Sequence, residues 1–125
     1  MGGDNMSAGE VFEAYLERFT SGDSDGAAEL LTDDFTFAGP ILQAKNEADF
    51  LAGAAGLGRV VQGYEMLRQW VDDDEVCSIC DFKVGTSSGT GSIPMAEWSV
   101  VRDGKLASSR LVFDTAAMTA LLPTS

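Results

Sequence analysis

The sequence predicts an α+β fold, a cone-shaped, curved antiparallel sheet closed by N-terminal helices. Three observations predict it. Apolar residues recur at helical spacing through the first part of the chain, and from residue 59 onward the period changes to two. The clusters "DDDE", "SSGTG" and "RDG" then cut the second half into four strand-like runs.

The first helix starts in "SAGEVFEAYLERF", where Ser7 and Glu10 have capping-box spacing and Val11, Phe12, Tyr15, Leu16 and Phe19 share one face. "TSGD" ends it. A short second helix is expected in "SDGAAELL", stopped by "TDD", and a short strand in "FTFAGPIL" that runs into a Gly-Pro turn. Asn46 has the position of a cap for a third helix, "EADFLAGAAGL". The strands follow as "RVVQGYEMLRQWV", "VCSICDFKVGT", "SIPMAEWSVV" and "KLASSRLVFD", and Asp114 can cap a last helix, "TAAMTALL". A long twisted sheet curls, and an amphipathic helix over its concave side leaves a conical apolar pocket suited to a small molecule.

The chain of 125 residues is read as one domain over 7–122, with a disordered leader at 1–6 and a tail at 123–125. Twenty acidic residues against eight basic ones give a net charge of −12. That charge repels phosphate backbones, so no nucleic acid and no anionic membrane is expected as a partner. No apolar run reaches the length of a membrane span and no basic-then-apolar signal opens the chain, so a cytoplasmic location is expected. There is no histidine. Cys77 and Cys80 have C-x-x-C spacing, but on a strand the two thiols point to opposite faces, which suits neither a redox turn nor a zinc site.

Within "SIPMAEWSVV" one residue is out of place. Alternation puts Met95, Glu97, Ser99 and Val101 on one face and Pro94, Ala96, Trp98 and Val100 on the other. Glu97 is then either a solvated strand residue beside a core-facing Trp98, or a buried acid with a purpose.

The stretches "YLERFTSGDSDGAAELLTDDFTFAGP" and "VVRDGKLASSRLVFD" resemble the opening and the closing hairpin of the nuclear transport factor 2-like superfamily, in particular its SnoaL-like members. The resemblance spans about residues 8 to 122 and implies the cystatin-like cone, a convex sheet face used for homodimers, and an isomerase, cyclase, dehydratase or plain binding domain. Against the ketosteroid isomerases, where a tyrosine and a protonated aspartic acid form an oxyanion hole beside an aspartate base, the tyrosine falls on Tyr15 and the protonated acid on Glu97. The base falls on Gly39, which cannot serve. The limonene epoxide hydrolase pattern fits worse, since its catalytic residues fall near Cys80, Phe82 and Leu111.

Tyr15 and Glu97 are therefore the candidate catalytic residues, polarising a carbonyl oxygen. The candidate binding residues are Phe37, Gly39, Phe50, Ser78, Cys80, Phe82, Met95 and Ser99. Counting from "DDDEV", Ser78, Cys80, Phe82 and Val84 point inward and Asp81 outward, unless a β-bulge reverses them. Arg110 could bind an acidic ligand, but the number of carboxylates favours an ion pair with one of them. The function expected is a small-molecule pocket acting, without metal or organic cofactor, on a neutral apolar carbonyl compound. The alternative is a non-catalytic binding or dimerisation domain of the same fold.

Overall fold

The computed structural model describes residues 6–40 and 42–121, so that all of the expected leader except Met6, all of the tail, and Leu122 lie outside the described residues. Helix α1 spans Ala8–Thr20 and opens on the expected capping box. The Glu10 N–H donates to Ser7 Oγ (3.2 Å) and the Ser7 N–H to Glu10 Oε1 (2.8 Å). Its buried face carries Val11, Phe12, Tyr15 and Leu16. Helix α2 covers only Ser24–Ala28, capped by Asp23. It ends early because Leu31 already begins strand β1, Leu31–Ala38. The "TDD" expected as a helix stop lies inside that strand, in an irregular stretch between Leu31 and Thr36. Leu31 pairs with Leu106 and both are buried, so tertiary packing outweighs the local helical pattern.

The strand ends at Ala38, where the Gly-Pro turn is expected. Gly39 turns the chain, its N–H donating to the Leu42 carbonyl at 2.9 Å, and a two-residue strand β2, Gln43–Ala44, returns against β1. Helix α3, Glu47–Val60, is capped by Asn46, which accepts the Asp49 N–H at 2.8 Å. The meander β3 (Val61–Asp72), β4 (Glu75–Thr86), β5 (Gly89–Arg102) and β6 (Lys105–Phe113) follows, and α4 (Thr115–Leu121) starts at Asp114. Asp103 and Gly104 take φ of 56° and 78°, the left-handed pair that a tight two-residue hairpin turn requires.

The six strands form one sheet in the order β2-β1-β6-β5-β4-β3. It is not wholly antiparallel: β1 runs parallel to β6. The chain leaves β1, crosses α3 and the whole meander, and arrives beside β1 in the same direction, which no hairpin could achieve. Register shifts in β3 near Gln62 and Leu67, and between Val100 and Val101 on β5, add local twist to the sheet.

The inner face of β4 carries Ser78, Cys80, Phe82 and Val84, and that of β5 carries Ile93, Met95, Glu97 and Ser99, all buried. Asp81 stands with Ile79 and Lys83 on the outer face, since no bulge interrupts the β4–β5 register. Trp98 is also outward, 50% exposed, its indole N–H donating to Glu75 Oε1 at 2.9 Å. Arg110 stands opposite Trp98 and, contrary to expectation, makes no ion pair among the described residues, where only Arg18–Glu29 and Arg102–Asp34 do. None of the described helices is long and apolar enough to cross a membrane.

Candidate functional site

Strand alternation delivers Glu97 to the concave face, with Ser78 of β4 directly opposite on one side and Leu111 of β6 on the other. The side chain is 7% exposed. Burial pushes its pKa up from 4.5 to about 7, and a hydrogen bond with Ser109 partly opposes that rise. Ser109 is itself anchored, its Oγ 2.6 Å from the Oγ of Ser99.

Helical phase delivers Tyr15 from the opposite wall, between Phe12 and Phe19, with ring centroids 6.4 and 6.0 Å away. It is 4% exposed. Burial first, and then the charge of Glu97, hold its hydroxyl well above the ordinary phenol value. Its hydroxyl is in no hydrogen bond among the described residues, and Tyr15 lines the cavity together with Glu97.

Tyr15 and Glu97 face a cavity of about 50 Å³ whose remaining wall is apolar. Of the expected binding residues, Phe37, Phe50, Phe82 and Met95 line it. Phe37 and Phe50 stand with ring centroids 5.0 Å apart, holding β1 against α3. Gly39, Ser78, Cys80 and Ser99 lie outside the lining. Gly39 sits in the β1–β2 turn, where a Cβ would come within 3.0 Å of the Phe37 ring. Ser78 is fully buried and accepts from Gln69 Nε2 at 3.2 Å, in the part of the sheet that Gly9 of α1 approaches closely. The Cys80 thiol, 3.6 Å from Met66 Sδ, is pushed up to about 12 by burial and by Glu97. Ser99 is closed off beneath its bond to Ser109.

Sequence reasoning missed Leu111 and Phe113, which also line the cavity, and Leu42 on the far side. The signal for the first two was present. The alternation Ser109, Leu111, Phe113 on β6 is the same pattern that pointed to Glu97 on β5. No local signal marks Leu42.

Tyr15 and Glu97 are the only titratable residues of the described lining. With a pKa of about 7, the carboxyl holds both forms near neutrality. The neutral acid donates a hydrogen bond and the carboxylate accepts a proton. Among the described residues no three His, Cys, Asp or Glu side chains cluster as metal ligands.

A half-open cone, a helix across its concave face and an inward acid define a small-molecule pocket fold of the nuclear transport factor 2-like class. The family model of the SnoaL-like domain matches residues 12–109, and the chain belongs to that family. No curated protein matches the chain. Solved structures that share the fold include the following three. A protein described as a SnoaL-like polyketide cyclase from Jannaschia sp. CCS1 is 18% identical, covering 94% of this chain and 93% of its own, with a TM-score of 0.79. TerC, co-crystallised with polyporic acid, is 21% identical over 91% of this chain and 96% of its own, with a TM-score of 0.77. A Catenulispora acidiphila protein of ketosteroid isomerase-like fold, in complex with trimethylamine, is 14% identical over 91% of this chain and 94% of its own, with a TM-score of 0.79. At these identities the likeness is one of fold.

Proposed function

We propose that the chain binds an uncharged, largely apolar carbonyl compound of polyketide- or steroid-like type and acts on it as a cofactor-independent isomerase, cyclase or dehydratase. The observation that supports this is a buried carboxyl and an unpartnered buried phenol on the wall of an otherwise apolar cavity. In that setting the Tyr15 hydroxyl and protonated Glu97 donate to the substrate oxygen, and the enolate-like charge that develops there meets donors already aimed at it. The polyketide cyclase name and the polyporic acid ligand among the structures of like fold agree with that substrate class.

The test begins with phenol, a mimic of the enolate oxygen. It should bind the wild type and lose roughly tenfold or more in affinity in Tyr15→Phe, and Glu97→Gln and Tyr15→Phe should each slow α-proton exchange of a test ketone by roughly tenfold or more. Equal binding and full exchange in both variants would remove these residues from the site.

A second reading, a pocket that holds its ligand without chemistry, is favoured by the absence of a third titratable group in the described lining. It predicts saturable binding with no exchange of the ligand's α-hydrogen.

The homodimer belongs to the same proposal. Trp70, Trp98 and Val112 are 52%, 50% and 61% exposed on the convex face, where the register sets Trp70 and Trp98 either side of Cys77. Exposed tryptophans in such a row suit a second copy of the same face.

A further inference from the structure

The cavity beneath α1 is small for the compounds proposed above. Its 50 Å³ compares with about 150 Å³ for a cavity that binds benzene, so even phenol places only its hydroxyl end there, with its ring between Phe19 and Phe50. The larger space lies outside it. An open groove of about 510 Å³ runs between the end of α1, α2 and the inner side of α3, and it shares Phe19, Phe50 and Ala54 with the inner cavity. The two spaces therefore have common walls, and Tyr15, nearly fully buried with an unpartnered hydroxyl, stands at the inner end.

The groove has its own chemistry. Arg59 and Asp25 both line it and make no ion pair with one another or with any other described residue. One donates hydrogen bonds and the other accepts them, so together they suit an uncharged body bearing hydroxyl or carbonyl groups. They do not suit an anion, which the net charge of −12 also disfavours.

Gly58 of α3 lines the groove, and a Cβ there would meet only Phe19 Cε1, at 4.0 Å, so a larger side chain at this position projects into open space.

We propose that the groove is the second half of the binding site. It takes the body of an elongated, uncharged ligand whose narrow oxygen-bearing end passes between Phe19 and Phe50 to reach Tyr15 and Glu97. This rests on the function proposed above and names its substrate class more narrowly: a slender oxygen-bearing head, and a wider body with polar substituents.

The experiment compares two probes, phenol and 4,4′-dihydroxybiphenyl, on the wild type, Gly58→Leu and Gly56→Leu. Gly56 is on the same helix and lines neither space, and a Cβ added there would meet nothing within 4 Å, so it controls for the helix itself. Circular dichroism melts show that each variant is folded, and Gly58→Ala supplies a milder plug. The biphenyl should bind the wild type at least tenfold more tightly than phenol. Gly58→Leu should abolish that advantage with phenol within about threefold of wild type, and Gly56→Leu should change neither. Equal affinity of the two probes for the wild type, or a biphenyl advantage that survives Gly58→Leu, overturns the bipartite site and leaves the inner one standing. Biphenyl binding that Gly58→Leu abolishes, with no binding of phenol and no effect of Tyr15→Phe, overturns the bipartite site and the inner site with it, since the groove then binds alone. Binding of neither probe overturns both.

Discussion

Ser99 and Ser109 face each other across β5 and β6 with their hydroxyls 2.6 Å apart, both buried, and Ser109 also bonds Glu97. A hydroxyl has one proton to give. If Ser109 donates to the carboxyl it must accept from Ser99, so the three groups form a directed chain ending on one carboxyl oxygen. When Glu97 is protonated, that chain leaves the other oxygen to carry the proton.

Ser109→Ala should therefore move the Glu97 pKa upward from about 7, because the hydrogen bond that favours the ionised form is lost and burial is left unopposed. Carbon-13 NMR titration of the glutamate carboxyls, with Glu97→Gln to assign the signal, reads this directly. An unchanged or lower midpoint would show that Ser109 does not hold the carboxylate.

Stability should depend on pH through the same residue. The folded pKa is raised above 4.5, so the native state holds the proton more tightly than the unfolded chain does. The stabilisation is fully present below about pH 4.5 and is lost as pH rises to about 7. The shift corresponds to about 3 kcal/mol. Urea unfolding of the wild type minus that of Glu97→Gln, between pH 4 and 8, isolates the effect, and a flat difference would contradict it.

On the convex face, Trp98→Glu should weaken self-association. A tryptophan at the centre of an interface contributes about 2 kcal/mol or more, so the dimer dissociation constant should rise about thirtyfold. Trp98 is half exposed and lies outside the core, so the fold should persist. Sedimentation equilibrium of both proteins decides it, and a monomeric wild type at micromolar concentration ends the dimer proposal.

The glycines of α3 should respond differently to alanine. Gly56→Ala meets nothing within 4 Å and should stabilise the protein by about 1 kcal/mol. Gly53→Ala should gain less, since Leu42 must move aside, and Leu42 lines the inner cavity. Thermal melts of the two variants test the ordering.

Much of this protein is written locally. The capping box at Ser7 and Glu10, the Asn46 and Asp114 caps, and the Asp103–Gly104 turn are short-range chemistry, legible without a fold. Alternation along β4 and β5 is also local, because side chains on a strand switch faces at every residue. Counting from the "DDDE" turn it put Asp81 outward, whereas for Glu97 it fixed only the face shared with Met95 and Ser99 and left open which face is the core.

Tertiary structure decided the rest. Only the sheet makes β1 a parallel neighbour of β6 and lets Leu31 leave the helix for a strand. Alternation told which way Ser78, Cys80 and Ser99 point, but not how deep they lie. α1 covers that part of the concave face, and only their neighbours show that they sit beyond the cavity wall. The Ser109–Glu97 bond, the part played by Leu42 and the groove beside Gly58 join residues far apart along the chain. The physical reason is one of range: caps, turns and strand faces depend on a few adjacent residues, whereas depth, hydrogen-bond partners and cavities depend on which distant elements the folded chain brings together.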